Sequence, residues 1–198
     1  MNFNNIIQRA IGIITKPAEE WKKIKEEKST IVDMFTNYAI ILAAIPAIAG
    51  FIGYSAIGRS FMGFTVRMPL GRAIMWSILM YIFSLLGVYL LGFIIDFLAP
   101  NFGAKKDMVM STKIAVYSMT PSWIAGVFFL IPALAILSFI AGLYALYLLY
   151  MGIKDLKSPE GDKATPYFVV TIIAYIVIAF VISFMVSAIA FGSARAFM

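Results

Sequence analysis

The chain has 198 residues, 62% of them apolar and 13% charged, with a net charge of +6 and a mean hydropathy of +0.93. A water-soluble domain is closer to half apolar and about a quarter charged, so this composition excludes a soluble globule and requires lipid as part of the solvent. With no histidine and no cysteine, Ser-His hydrolysis, histidine-bearing metal sites, thiol nucleophiles and disulfides are excluded as well.

Residues 1–30 are expected to form a cytoplasmic amphipathic and charged helical segment. Phe3, Ile6, Ile7, Ala10, Ile11 and Ile14 recur at three- and four-residue steps, which places them on one face of a short helix. Two readings fit that face: a helix lying flat on the headgroups, or a docking helix for a cytoplasmic protein. Lys16-Pro17 then opens PAEEWKKIKEEK. Glu19 and Glu20 fall in its first turn, where the helix dipole favours anions. Opposite charges at Glu19–Lys23, Lys22–Glu26 and Lys23–Glu27 suit a solvated helix, and Trp21 with Ile24 offers an anchor to the interface. Dense charge behind a short apolar stripe is not the pattern of a cleavable signal peptide.

Residues 31–192 are expected to hold five transmembrane helices, near 31–57, 72–98, 111–131, 132–153 and 166–192. Thr165 suits an N-cap and Pro166 a first helical residue for the last of them. The decisive stretch is Ile114–Ile153, 40 residues without a charge. As one helix it would be about 60 Å long, roughly twice the hydrocarbon thickness. Pro132 lies near its middle and pushes Ile131 out of helical geometry, so a tight hairpin turning near Leu130–Ala133 is expected. Pro121 falls inside the third span, where it should kink the helix and free the Tyr117 carbonyl.

Loop charge gives the same count. Five spans with a cytoplasmic N-terminus put 12 of the 16 Lys and Arg residues inside, whereas reading the run as one span puts 10 inside. The positive-inside rule favours the former, with the C-terminus outside. That excess also accounts for the basic balance without a nucleic-acid partner.

Within the bilayer, small residues let helices approach closely. Ser111, Ala115, Ser118, Ser122 and Ala125 form such a face on the third span. Ser138, Gly142 and Ala145 do so on the fourth, and Ser183, Ser187 and Ala190 on the fifth. Asp33 and Asp96 are the two acidic residues near the spans, both expected at headgroup level. Ionisable residues in spans are commonly functional, which makes Asp96 a candidate beside the hydroxyl-bearing face at Pro121 and Ser122. No catalytic residues, metal ligands or cofactor-binding residues are expected, and no phosphate loop or inverted repeat is apparent.

Three stretches in this order resemble the Yip1 family of five-span membrane proteins, in its prokaryotic branch. They are KPAEEWKKI at 16–24, AVYSMTPSWIAGVFFLIP at 115–132 and LYALYLLYMGIKDLKSPEGDKA at 143–164; with the following span the resemblance covers 16–192. It implies a cytoplasmic N-terminus, five helices, residence in the cell membrane of a prokaryote and no enzymatic role. Eukaryotic relatives are associated with vesicle traffic and bind small GTPases of the Rab type. The Asp-Leu-Tyr-Gly-Pro motif of those members is absent, the chain reading STIVDMFTNY before span one. Tyr117, Pro121 and Gly152 fall on landmarks of the family pattern, and Trp21 lies in the first stretch. The function expected is a protein-interaction or membrane-organising factor, working through residues 1–30 on membrane or cytoplasmic proteins, with homo-oligomers allowed. The alternative is a solute, ion or lipid pathway through the bundle.

Overall fold

A computed structural model describes residues 3–61, 64–131 and 134–192. The long charge-free run resolves into two helices, and the reason is local. Ile131 adopts φ −117° and ψ 99°, an extended conformation, as a residue before proline should. The chain then reverses, with the Leu134 amide donating to the Ile131 carbonyl at 2.8 Å. Pro132 and Ala133, the rest of the expected turn, lie outside the described residues.

Among the described residues five helices are long and apolar enough to cross a membrane: Ile31–Ile57, Leu70–Phe102, Met108–Leu130, Ile136–Lys157 and Ala164–Phe184, the last continuing as helix to Gly192. The protein is therefore an all-α bundle, apart from a two-stranded hairpin between the first two spans. Its strands β1 (Arg59–Phe61) and β2 (Phe64–Val66) pair antiparallel. The fifth span begins at Ala164 rather than after Thr165, so Thr165 and Pro166 sit inside its first turn; the Tyr167 amide already bonds the Lys163 carbonyl.

The third span is the central element. It divides at Met119 into Met108–Ser118 and Thr120–Ala125, then tightens into a 3₁₀ turn over Gly126–Leu130. Pro121 causes the break and stands in the first turn of the second piece. The Tyr117 carbonyl it frees is not left unpaired: the Thr120 hydroxyl donates to it at 2.8 Å. Thr120 Oγ1 also lies 2.9 Å from the Tyr38 hydroxyl on the first span. The first helix widens to an i→i+5 turn over Phe35–Ala39 there, as the Ile40 amide reaches back to the Phe35 carbonyl.

Small residues set the closest approaches, though not all those expected. A Cβ on Gly126 would come within 2.5 Å of Pro46, and one on Gly53 within 1.9 Å of the Phe129 carbonyl oxygen; these contacts join the first and third spans. Ser111, Ala115, Ser118 and Ala125 are buried, as the small face requires, and Ser122 is half-buried. Gly142, however, faces open space. Ser183 is exposed, so the fifth span does not pack through it. Ser187 and Ala190 lie where side chains are not described.

Candidate functional site

The N-terminal segment is fastened to the bundle, which its composition does not announce. Helix α1 (Phe3–Thr15) turns at Lys16 into α2 (Pro17–Glu26). Ile6, Ala10 and Ile13 are buried, while Ile7 and Ile11 are exposed and Ile14 is half-buried. The apolar stripe is thus split between a protein-facing edge, shifted to include Ile13, and an outer edge facing away from the bundle. The Tyr144 hydroxyl on the fourth span donates to the Ile14 carbonyl at 2.6 Å and secures the end of α1.

In α2, Trp21 and Ile24 are wholly buried. Trp21 is therefore no interfacial anchor: its ring lies against the fourth span, where a Cβ on Gly152 would meet it at 3.0 Å and Ile114 at 3.0 Å. A Cβ there would crowd the indole, which would have to give by a few tenths of an ångström. Burying an indole of about 200 Å² contributes roughly 5 kcal/mol before ordering costs.

Charge completes the fastening. Lys113, fully buried in the third span, donates to the Ile24 carbonyl at 2.6 Å and to the Glu27 carbonyl. It thus caps the C-terminus of α2, the end at which the helix dipole stabilises a cation. Desolvating a lone ammonium costs several kcal/mol, and these carbonyls are what offset it. Lys25 adds a bond to the Asp155 carbonyl at 2.8 Å. The expected ion pairs Glu19–Lys23, Lys22–Glu26 and Lys23–Glu27 do not form among the described residues. Instead Glu20 turns inward and accepts from Arg9 at 2.6 Å and from Lys23 at 3.1 Å, while Arg9 also pairs with Glu27. Burial opposes the charge on Arg9, but the bond to Glu27 and the fields of Glu27, Tyr117 and Glu20 outweigh it and raise the guanidinium pKa above its usual value.

Between α1, α2 and the start of the first span lies a polar cavity of about 880 Å³. Arg9, Glu20, Glu27, Ser29, Asp33 and Tyr117 are among its lining residues. The Arg9 guanidinium stands 5.5 Å from the Tyr117 ring centroid, a cation–π contact. Tyr38 packs edge-on to the same ring with centroids 5.0 Å apart. Asp33 is a helix cap: its carboxylate accepts from the Thr30 amide at 3.2 Å while the Thr30 hydroxyl accepts from the Asp33 amide at 3.1 Å.

A second polar cluster ties the second, third and fourth spans. Asp96 Oδ1 accepts from the Asp107 amide at 2.7 Å, the Ser111 hydroxyl at 3.1 Å and Lys157 Nζ at 3.1 Å. Lys157, whose side chain is 2% exposed, also donates to the carbonyls of Lys105 at 3.1 Å and Asp107 at 3.0 Å. All three ammonium protons are used. Asp96 is thus a member of a fastening between loop and helix ends.

Of the six residues singled out from the sequence, the structure brings Trp21 and Gly152 into contact and puts Tyr117 on the polar cavity. Pro121 is buried at the break four residues further on. Ser122 is half-buried and is not among the residues lining the cavity. Asp96 belongs to the separate cluster with Lys157. Arg9, Glu20, Ser29 and Lys113 are absent from that set although they build the site. Arg9 carried a signal: it is a charge three residues from Ile6, on the edge of an otherwise apolar face.

A bundle of five apolar helices, with a short amphipathic pair folded against one end, defines a polytopic α-helical membrane protein. The chain belongs to the Yip1 family: the Yip1 domain model matches residues 11–185. It is 28% identical over 160 residues to "Inner membrane protein YohC" of Escherichia coli strain K12, covering 79% of this chain and 82% of that protein. The same figures hold for the protein of that name in Escherichia coli O6:H1 strain CFT073. No solved structure matches the chain.

Proposed function

We propose that this Yip1-family chain is a non-enzymatic protein of a prokaryotic inner membrane, which presents α1 and α2 as a fixed platform for other proteins on the cytoplasmic side. The observation that carries this is the capping of α2 by Lys113, together with the buried Trp21. A segment meant only to rest on lipid has no need of a buried cation and a buried indole holding it. The orientation rests on the excess of Lys and Arg on the N-terminal side; the relatives' name supports the compartment. The inward faces of α1 and α2 are occupied, so the surface left for a partner is the outer face of α2, where Lys22 and Glu26 are exposed. A solute pathway has less to support it, since Asp96 is fully engaged with Asp107, Ser111 and Lys157.

In-cell photo-crosslinking from positions 22 and 26 tests this. The expected result is a discrete partner protein, with capture lost on Lys22→Glu. Recovery of lipid adducts alone, or the same proteins from position 180 on the fifth span, would refute it. The cysteine-free chain also permits a clean labelling test: Lys22→Cys is expected to react only from the cytoplasmic side and Ile131→Cys only from outside.

A further inference from the structure

Two buried polar atoms on side chains lining the cavity under α1 and α2 have no hydrogen-bond partner in the protein. Arg9 Nε and Ser29 Oγ are both buried and unpaired. Tyr117 is 2% exposed and lines the same cavity, adding a hydroxyl beside them. Buried polar groups are ordinarily satisfied; of the five unpaired buried side-chain atoms among the described residues, two belong to side chains lining this one cavity, which points to a ligand there. Each group can donate a proton, so the ligand is rich in acceptor oxygens.

The charge of the cavity narrows the choice. Four cationic and four anionic side chains line it, so it is neutral as a whole, and a ligand of high net charge gains little from it. Arg9 is already shared by Glu20 and Glu27. The Glu27 and Glu19 carboxylates remain 44% and 66% exposed and are able to accept from an ammonium group. Glu27 is paired with Arg9 and Glu19 lies 4.0 Å from Lys16, yet both keep oxygens open to solvent, and donors at one place with part-exposed carboxylates at another suit a zwitterion. The cavity is of the size that binds small ligands, roughly 300–1,000 Å³.

A second feature connects the site to lipid. On the far flank of α1 an apolar groove of about 510 Å³ runs between that helix and the first and third spans. Ile11 and Thr15 line both the groove and the polar cavity. One molecule with a polar head and an apolar tail, crossing at Ile11 and Thr15, would occupy both.

We propose that the cavity binds the phosphoethanolamine headgroup of a phospholipid. The phosphate accepts from Arg9 Nε, Ser29 and Tyr117, the ammonium donates to Glu27 and Glu19, and an acyl chain lies in the groove beside α1. This site is independent of the partner surface proposed above, which lies on the outer face of α2.

The test uses the full chain in nanodiscs of equal parts phosphatidylethanolamine, phosphatidylglycerol and phosphatidylcholine, re-extracted and read by native mass spectrometry. The expected result is one phosphatidylethanolamine retained per chain. Phosphatidylcholine, whose ammonium cannot donate, and phosphatidylglycerol, which has none, should be retained far less. Tyr117→Phe and Ser29→Ala together should lower retention roughly tenfold, and each alone less. Because the Ser29 hydroxyl has no protein partner, Ser29→Ala should leave thermal unfolding unchanged, and either single variant suffices if the other lowers stability. Glycerophosphoethanolamine should displace the lipid and inorganic phosphate at the same concentration should not. Equal retention of the three headgroups, or retention unchanged in the double variant, would overturn the proposal. Displacement by inorganic phosphate alone would do so too, assigning the site to free phosphate. Loss of this binding with crosslinking from positions 22 and 26 intact would reject the lipid site and leave the platform standing.

Discussion

The third and fifth spans differ in a way that hydropathy alone inverts. In their most apolar windows, 67% of the third span is buried and 11% of the fifth. The buried one carries Lys113, Ser111, Thr112, Ser118 and Thr120, while the exposed one shows Val177, Phe180 and Phe184 to its surroundings. In water the apolar helix would be the core. In lipid, which solvates apolar side chains as well as another helix does, the polar helix takes the centre because only protein can satisfy its hydroxyls and ammonium. Polarity therefore marks the interior of this bundle.

Substitutions in the two spans can break or sharpen that contrast, with stability read as resistance to denaturation in mixed micelles. Lys113→Met is expected to cost the most, about 3 kcal/mol, since it leaves the carbonyls at the end of α2 buried without their cation. Gly126→Val should follow at about 2 kcal/mol, because its new Cβ would overlap Pro46 on the first span. Thr120→Val keeps the shape but removes the partner of the Tyr117 carbonyl and the Tyr38 hydroxyl, at about 1–2 kcal/mol. Phe180→Ala in the fifth span should stay within about 0.5 kcal/mol, as lipid replaces the ring. A large loss at Phe180 would mean that the fifth span packs against another protein surface, and the contrast would fail there.

Much of the fold was legible because it depends on neighbours in sequence. The length of the charge-free run, the extended residue before Pro132 and the break at Pro121 all follow from local rules. The site was less legible, because its determinants are distant. Lys113 and Glu27 are 86 residues apart and Lys25 and Asp155 are 130 apart. No periodicity reports such a pairing. Trp21 looked like an interfacial aromatic because nothing nearby shows that Gly152 is shaped to receive it. Gly53 makes a backbone contact with Phe129 that no local pattern marks. Gly142, which looked like a packing residue, is not one. Spacing finds a face, but what the face meets is decided elsewhere in the chain.

The grip of Lys113 and Gly152 on α2 also orders the assembly of the protein in time. Helices α1 and α2 leave the ribosome before the spans do, yet their seats belong to the third and fourth spans, with Lys113 89 residues beyond Ile24 and Tyr144 130 beyond Ile14. Until then Trp21 and Ile24 have nowhere to bury themselves. The pair is synthesised ahead of the spans but locks only after the fourth of them, so its docking reports that the fourth span is in place.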